Sequence, residues 1–270
     1  MAAPLVDYTG KRVVLTGGAT GIGAALAELL RALNVGHLTI LDVKPATNAD
    51  LYIPVDLSDP RSIDGALHGI EGPIDTVFSN AGVSAVAGVR TCMAVNVAAS
   101  RRITDSLIDR ITPGGTIVYT ASMAGNGWPT HVAEINRLLD IAEWDAFLDA
   151  CEASEPAQDV YPFSKACMQV YTMRRAYASI RQGVRINSIC PAPVDTPLMP
   201  DFRASMGDKA IDWSVSVQGN GRMAVADDIA PSLAFMGSDA SAFINGVNLL
   251  VDSGFTAAMV TGQADFSGLA

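Results

Sequence analysis

Near its start the chain runs from a β-branched segment, Arg12-Val13-Val14-Leu15-Thr16, into Gly17-Gly18-Ala19-Thr20-Gly21-Ile22-Gly23 and on into an Ala/Leu-rich stretch, Ala24 to Leu33. The first segment has the composition of a strand buried on both faces, as strands of a parallel sheet are. The last has that of a helix packed on such a sheet. A strand and a helix joined by glycines leave few folds open, because the turn brings bare backbone to the N-terminal end of the helix. There the unpaired N–H groups and the positive end of the dipole attract a phosphate. Gly17, Gly21 and Gly23 are spaced G-x-x-x-G-x-G, with Thr20 and Ile22 between them, rather than as the more general G-x-G-x-x-G. Glycines required only for positive φ would look the same at this level.

Further strand ends carry polar residues. Leu38-Thr39-Ile40-Leu41-Asp42 reads as a second strand ending in an acid. Asp42 stands about 20 residues past the glycine turn, where a carboxylate can accept the adenosine ribose hydroxyls. An acid there repels a 2′-phosphate and predicts NAD over NADP, with Lys44 close by. Tyr52 to Leu57 is a third strand, placed at an edge by Pro54, and Ser58-Asp59-Pro60 caps a short helix to about Gly69. Asp75 to Ser79 is the fourth strand and closes on Asn80-Ala81-Gly82; a helical stretch from about Arg90 to Ile111 then carries Asn96. Gly115 to Ala121 is the fifth strand, with Ser122 just past its end. Ligands of open parallel sheets bind beyond the carboxyl ends of the strands, so Gly17, Asp42, Asn80 and Ser122 are expected along one edge.

The second half opens with a helical period: Val132, Ile135, Leu138, Leu139 and Ala142, with charged residues between them. It predicts one or two helices between about His131 and Cys151, then a polar connector to Asp159. Tyr161-Pro162 opens another helix, on which Tyr161 and Lys165 share a face four residues apart. Val184 to Ile189 is the sixth strand, ended by Pro191 through Thr196. A loop rich in Leu198, Met199, Phe202, Met206 and Trp213 reaches about Gly221, Asp227-Asp228 caps a helix to Met236, and Gly246 to Asp252 is the last strand. Strands alternate with helices throughout and there is no internal repeat. The expected fold is a single α/β domain of 270 residues: a Rossmann-type, doubly wound parallel sheet of about seven strands, helices on both faces, and a helical insertion before Tyr161.

Composition narrows the function classes. An apolar fraction of 49% with 17% charged residues supplies a large core, and the net charge of −10 argues against nucleic acid or anionic lipid as a partner. The uncharged stretch from Ile111 to His131 is broken by Pro113, Gly114, Gly115, Gly125 and Pro129, so it does not read as a membrane span. No basic segment followed by an apolar run opens the chain, and a secretory signal is not expected. Cys92, Cys151, Cys167 and Cys190 are scattered without C-x-x-C spacing, and His37, His68 and His131 have no partner at ligand spacing. The expectation is a cytoplasmic protein with reduced thiols, Cys190 among them a buried inert one, and no metal.

Taken together these residues resemble the short-chain dehydrogenase/reductase family over nearly the whole chain. The resemblance is carried by the glycine turn ending Gly21-Ile22-Gly23, Asn80-Ala81-Gly82, Asn96, Ser122, Tyr161-x-x-x-Lys165 and Pro191 through Thr196. It implies Tyr161 as the general acid or base, with Lys165 and the positive nicotinamide favouring the phenolate and Lys165 also bonding the nicotinamide ribose. It further implies Ser122 polarising the substrate oxygen and Asn96 holding a water in the proton relay. Asp56 and Leu57 would flank the adenine, Asn80 would back the adenosine ribose, and Val194 and Thr196 would hold the carboxamide and phosphate end.

Four departures stand out. Ala192 replaces the usual glycine after Pro191, and Ser253 replaces another after the last strand. Gly82 and Asn96 are close in sequence, which shortens the loop and helix between them, whereas Ser122 and Tyr161 are unusually far apart, around an insertion of about residues 128–159. This pattern resembles the branch containing bacterial 3α-hydroxysteroid dehydrogenase/carbonyl reductase and coniferyl-alcohol dehydrogenase. It implies a hydrophobic cyclic or aromatic alcohol and its ketone or aldehyde as substrate pair. The insertion is expected to block one of the family's usual helix interfaces, giving a homodimer or a homotetramer built differently from usual. The segment of about residues 195–221 reads as a substrate lid, and the apolar stripe of the insertion reads as packing rather than pocket. A non-catalytic NAD-binding regulator and a sugar-nucleotide epimerase or dehydratase are the alternatives; the Tyr-Lys pair speaks against the first, and chain length against the second.

Overall fold

Strand β1 (Arg12–Thr16) sets the layering, because its side chains alternate between two buried cores: Val14 in one, Val13 and Leu15 in the other. The computed structural model describes residues 5–267, apart from the side chains of residues 156 and 158. β1 lies third in a seven-stranded sheet with β2 (His37–Asp42), β3 (Leu51–Pro54), β4 (Ile74–Ser79), β5 (Ile111–Thr120), β6 (Arg185–Pro191) and β9 (Asn248–Val251). The order is β3-β2-β1-β4-β5-β6-β9, with every pair parallel, and Pro54 ends the edge strand β3. A separate two-stranded ribbon, β7 (Val194–Asp195) with β8 (Ala224–Val225), lies outside this sheet and was not expected.

Helices cover both faces. α1 (Gly21–Ala32) lies on the face of Val13 and Leu15. α2 (Pro60–His68) starts where expected: the Asp59 carboxylate accepts the Arg61 N–H at 2.9 Å and Pro60 takes the first turn. The helix expected from Arg90 to Ile111 is instead broken: α3 (Val89–Met93), a π-helical turn from Ala94 to Ala98, and α4 (Ala99–Leu107). Ile111 already belongs to β5. The π turn carries Asn96, whose amide takes hydrogen bonds away from the helix and toward Val83.

The insertion forms α5 (Trp128–Leu139) and α6 (Trp144–Glu152), followed by a 3₁₀ turn from Glu155 to Asp159 where a connector was expected. Its apolar residues Ile135, Leu138, Phe147, Leu148 and Cys151 are buried in the same core as Phe163 and Cys167 of α7 (Val160–Ser179). The Arg90 guanidinium on α3 binds Asp145, Asp149 and Glu152 of α6 at 2.7–3.0 Å. The stripe is therefore packing, as its period implied.

The expected loop beyond Leu198 is two short helices, α8 (Met199–Met206) and α9 (Asp208–Val217), hinged at Gly207 with φ +86°. Arg203 on α8 pairs with Asp208 and Asp212 on α9 and fixes the corner. α10 (Ala226–Met236) packs beside α1, and α11 (Phe255–Val260) follows β9. The C-terminal segment closes over α9: Trp213 packs against the rings of Phe255 and Phe266, and its indole N–H donates to the Asp265 carbonyl at 2.7 Å. Among the described residues, no helix is long and apolar enough to cross a membrane.

Candidate active site

The carboxyl ends of β1, β2, β4, β5 and β6 open onto one cavity of about 590 Å³. At its floor the turn after β1 is held by its neighbours. The Thr16 hydroxyl accepts the N–H groups of Asn80 and Ala81, and Asn80 Nδ2 donates to the Gly17 carbonyl at 3.1 Å. Asn80 Oδ1 accepts the Thr120 hydroxyl, so one side chain ties together the ends of β1, β4 and β5. The glycines are needed for different reasons. A Cβ on Gly17 (φ +70°) would stand 2.7 Å from Ala81 Cα, and one on Gly23 would stand 1.9 Å from the Gly17 carbonyl oxygen. Gly23 thus lets the helix meet the turn; it does not itself line the cavity, whereas Gly17, Thr20, Gly21 and Ile22 do.

This cavity fits a dinucleotide. Thr20 makes no side-chain cap, which leaves the first-turn N–H groups of α1 without a side-chain partner, and no acid stands in that turn. The cavity continues past Asp42, Asp56 and Leu57 at one end, and past Ala81, Gly82, Pro191, Val194 and Thr196 to Tyr161 and Lys165 at the other. Asp42 Oδ2 accepts the Ala19 N–H at 2.9 Å and Oδ1 the Lys44 N–H, so the carboxylate is held at the mouth.

Ser122, Tyr161 and Lys165, three polar side chains from two elements, line the same cavity. Ser122 begins the 3₁₀ turn Met123–Gly127, where its Oγ accepts the Ala124 N–H at 3.2 Å. Tyr161 and Lys165 lie one turn apart on α7, the Lys165 Nζ 5.6 Å from the centre of the Tyr161 ring. Nζ donates to the Thr120 carbonyl at 2.9 Å, which anchors the ammonium to the end of β5. Burial pushes the Tyr161 phenol above its ordinary range, and the Ser122 side chain beside it pulls it back down. Burial also brings Lys165 down to about 8. Both groups are therefore held toward their neutral forms, and neighbouring charge is needed to make the phenolate. Cys190 is fully buried beside them, its thiol pushed up to about 12 by burial.

Asn96 does not reach the cavity wall. Its Oδ1 accepts the Val83 N–H, and its Nδ2 faces the Val83 carbonyl, Ser164 Oγ and Cys92 Sγ. It lies just behind Gly82: a Cβ there would stand 3.2 Å from Asn96 Oδ1 and 3.5 Å from Lys165 Nζ. The cavity is also lined by apolar side chains: Val83, Val95, and Leu198, Met199, Phe202 and Met206 from the segment after β7. Among the described residues, none from 128 to 159 lines the cavity. Thr120 and Gln169, which hold the site together with Thr16, have no motif in the sequence that marks them. Gln169 had a visible signal, being polar and four residues beyond Lys165 on the same helix face.

A glycine-turn parallel sheet with serine, tyrosine and lysine at its strand-end cleft defines a class, and the chain belongs to the short-chain dehydrogenase/reductase family. Residues 11–133 match the family model described as short chain dehydrogenase, and residues 147–256 the one described as enoyl-(acyl carrier protein) reductase. Among curated relatives, a coniferyl-alcohol dehydrogenase of a Pseudomonas species is 30% identical over 94% of this chain and 100% of its own. A cis-4-hydroxycyclohexanecarboxylate dehydrogenase of Sinomonas cyclohexanicum is 28% identical over 90% of this chain and 96% of its own. The solved 3-alpha-hydroxysteroid dehydrogenase of a Pseudomonas species, complexed with NADH, superimposes with a TM-score of 0.80 at 25% identity, over 94% of this chain and 100% of that one.

Proposed function

We propose that this protein is an NAD-dependent oxidoreductase that interconverts a hydrophobic cyclic or aromatic alcohol and its ketone or aldehyde. The observation that carries the reading is that Ser122, Tyr161 and Lys165 line one cavity together with apolar side chains such as Val83, Val95, Met199 and Phe202. The names of the relatives, which are dehydrogenases of aryl, cyclic and steroid alcohols, support the substrate class. When bound, the nicotinamide ring supplies or accepts the hydride.

The chain's own residues handle the oxygen. In oxidation the Ser122 hydroxyl holds the carbinol oxygen, Tyr161 takes its proton, and the carbinol C–H bond breaks as the hydride leaves, giving the carbonyl. In reduction Tyr161 returns the proton. Lys165, anchored at Thr120, bonds the nicotinamide ribose and stabilises the phenolate. Asn96 braces Val83 and stands beside Lys165 at the inner end of the proton path, where we place the relay water. Asp42 at the cavity mouth accepts the adenosine ribose hydroxyls and disfavours a 2′-phosphate. Assembly as a homodimer or homotetramer and a cytoplasmic location belong to the same proposal.

The test is absorbance at the reduced-nicotinamide band with NAD and NADP, across hydroxysteroids, cyclic terpenols and aryl alcohols. Turnover with NAD on one class is expected. Tyr161→Phe should lower kcat by about 10² to 10⁴ with NAD binding retained. Near-wild-type turnover in that variant would overturn the mechanism, and tight NAD binding without turnover on any alcohol would favour a binding module.

A further inference from the structure

Ser122 sits on a short turn, so its position relative to Tyr161 depends on how that turn is fastened to α7. The Ser122 carbonyl accepts two hydrogen bonds: the Gly125 N–H at 3.0 Å, and Gln169 Nε2 at 2.9 Å. Gly125 lets the turn lie directly on the catalytic helix, since a Cβ there would stand 2.5 Å from the Lys165 carbonyl carbon and 2.7 Å from the Ala166 nitrogen. Gln169 is 1% exposed and follows Lys165 by one turn on the same face of α7.

The amide orientation is fixed by chemistry, because a carbonyl can be met only by N–H. Gln169 Nε2 therefore faces Ser122, and its second hydrogen goes to Asn126 Oδ1 at 3.2 Å. Asn126 Nδ2 then donates to the Thr256 hydroxyl at 2.9 Å, on α11. The Asp252 carboxylate accepts the Thr256 N–H and so holds that helix end in place. One partly buried chain of hydrogen bonds runs from α11, through two amides, to the main chain of the serine.

We infer that Gln169 is a positioning residue: with Asn126 it pins the Ser122 main chain to the helix that carries Tyr161 and Lys165, so that the serine hydroxyl meets the tyrosine phenol. It does not touch the reacting oxygen. The inference rests on the reading of Ser122 as the group that polarises that oxygen. Without the Gln169 donor the turn keeps its internal Gly125 bond but loses its polar tie to α7. A misplaced hydroxyl costs transition-state stabilisation rather than binding.

The experiment compares the wild type with Gln169→Met, Gln169→Glu and Thr172→Val. Thr172→Val removes the Thr172–Met168 hydrogen bond on the same helix without touching this chain of bonds. Gln169→Met should lower kcat about 10- to 100-fold with little change in NAD affinity or KM, while Thr172→Val stays near wild type. Gln169→Glu places a carboxyl in a buried site that raises its pKa. Its protonated form can still donate to the Ser122 carbonyl, so its activity relative to wild type should fall as pH rises. In the protein without cofactor, hydrogen exchange of the Ala124 and Gly125 amides should quicken in Gln169→Met while α7 stays protected. A wild-type kcat in Gln169→Met, losses in both Gln169→Met and Thr172→Val that merely follow their thermal midpoints, or a flat relative pH profile for Gln169→Glu would overturn the inference. If the wild type itself turns over no alcohol, the proposed function fails and the exchange measurement alone decides: unchanged exchange of residues 122–127 would overturn the positioning role.

Discussion

Phe202 stands over Tyr161, the ring centroids 4.7 Å apart at an interplanar angle of 64°. The contact joins α8 directly to the proposed acid–base group, so this helix helps exclude water from the phenol as well as walling the cavity. Phe202→Ala should weaken apolar alcohols about 2- to 10-fold in KM, the worth of one edge-to-face aromatic pair. It should also move the pH profile of oxidation to lower pH, because burial is what raises the Tyr161 pKa. Steady-state rates across pH for both proteins check this; an unmoved profile would show that the ring does not control solvation of the phenol.

Lys165 leaves a signature in stability. Burial brings its pKa to about 8, below the ordinary lysine value of 10.5. Below pH 8 the ammonium is charged in both folded and unfolded chains, and its burial costs the full penalty. Between about pH 8 and 10.5 the folded lysine is neutral while the unfolded one still binds a proton, so stability rises with pH in this window. The shift corresponds to about 3 kcal/mol at most. Lys165→Met lacks this dependence, and its stability relative to wild type should fall between pH 7 and 10. Urea unfolding midpoints at several pH values would show it; a constant difference would contradict the assignment.

Asp42 should set cofactor choice. Asp42→Ala removes the negative charge at the cavity mouth together with its bonds to Ala19 and Lys44. The ratio of kcat/KM for NADP over NAD should rise by about 10-fold or more, as a change of 1.4 kcal/mol in relative binding gives. An unchanged ratio would mean that another group reads the ribose.

Ser253 is one of two described non-glycine residues with positive φ, at +49°. An L-residue in the left-handed region carries roughly 1–2 kcal/mol of strain, and the residue is exposed, with its carbonyl accepting the Gly219 N–H at 2.7 Å. Ser253→Gly should relieve that strain at some cost in unfolded-state entropy. A rise of about 2 °C in the thermal midpoint is expected, with no change in kcat. A lower midpoint would show that the serine is held there by something worth more than the strain.

Much of this was legible in the chain because the signals are local. The run from Arg12 to Thr16, the glycines after it and the acid-and-proline start of α2 each specify backbone conformation within a few residues. Their positions match the structure closely. The four-residue spacing of Tyr161 and Lys165 sets their common helix face without any tertiary contact. The segment after Leu198 reads as a loop because α8 and α9 are short and lie between the cavity and the C-terminal segment, so neither shows a clean apolar stripe. The helix carrying Asn96 was read as continuous because a π turn has no signature in composition; it forms where the side chain finds Val83.

The sequence by itself determined the strand order's raw material: which segments are strands, which strand ends carry polar groups, and which residues share a face of α7. Only the tertiary structure decided what those groups face. It put Phe202 on Tyr161, turned the Asn96 side chain away from the cavity, anchored Lys165 at Thr120, and fastened Ser122 to α7 through Gln169. The physical reason is range. Periodicity, capping and turn chemistry act between neighbours along the chain, whereas burial and hydrogen bonding at the cleft join residues tens of positions apart, whose partners are set by how the elements pack.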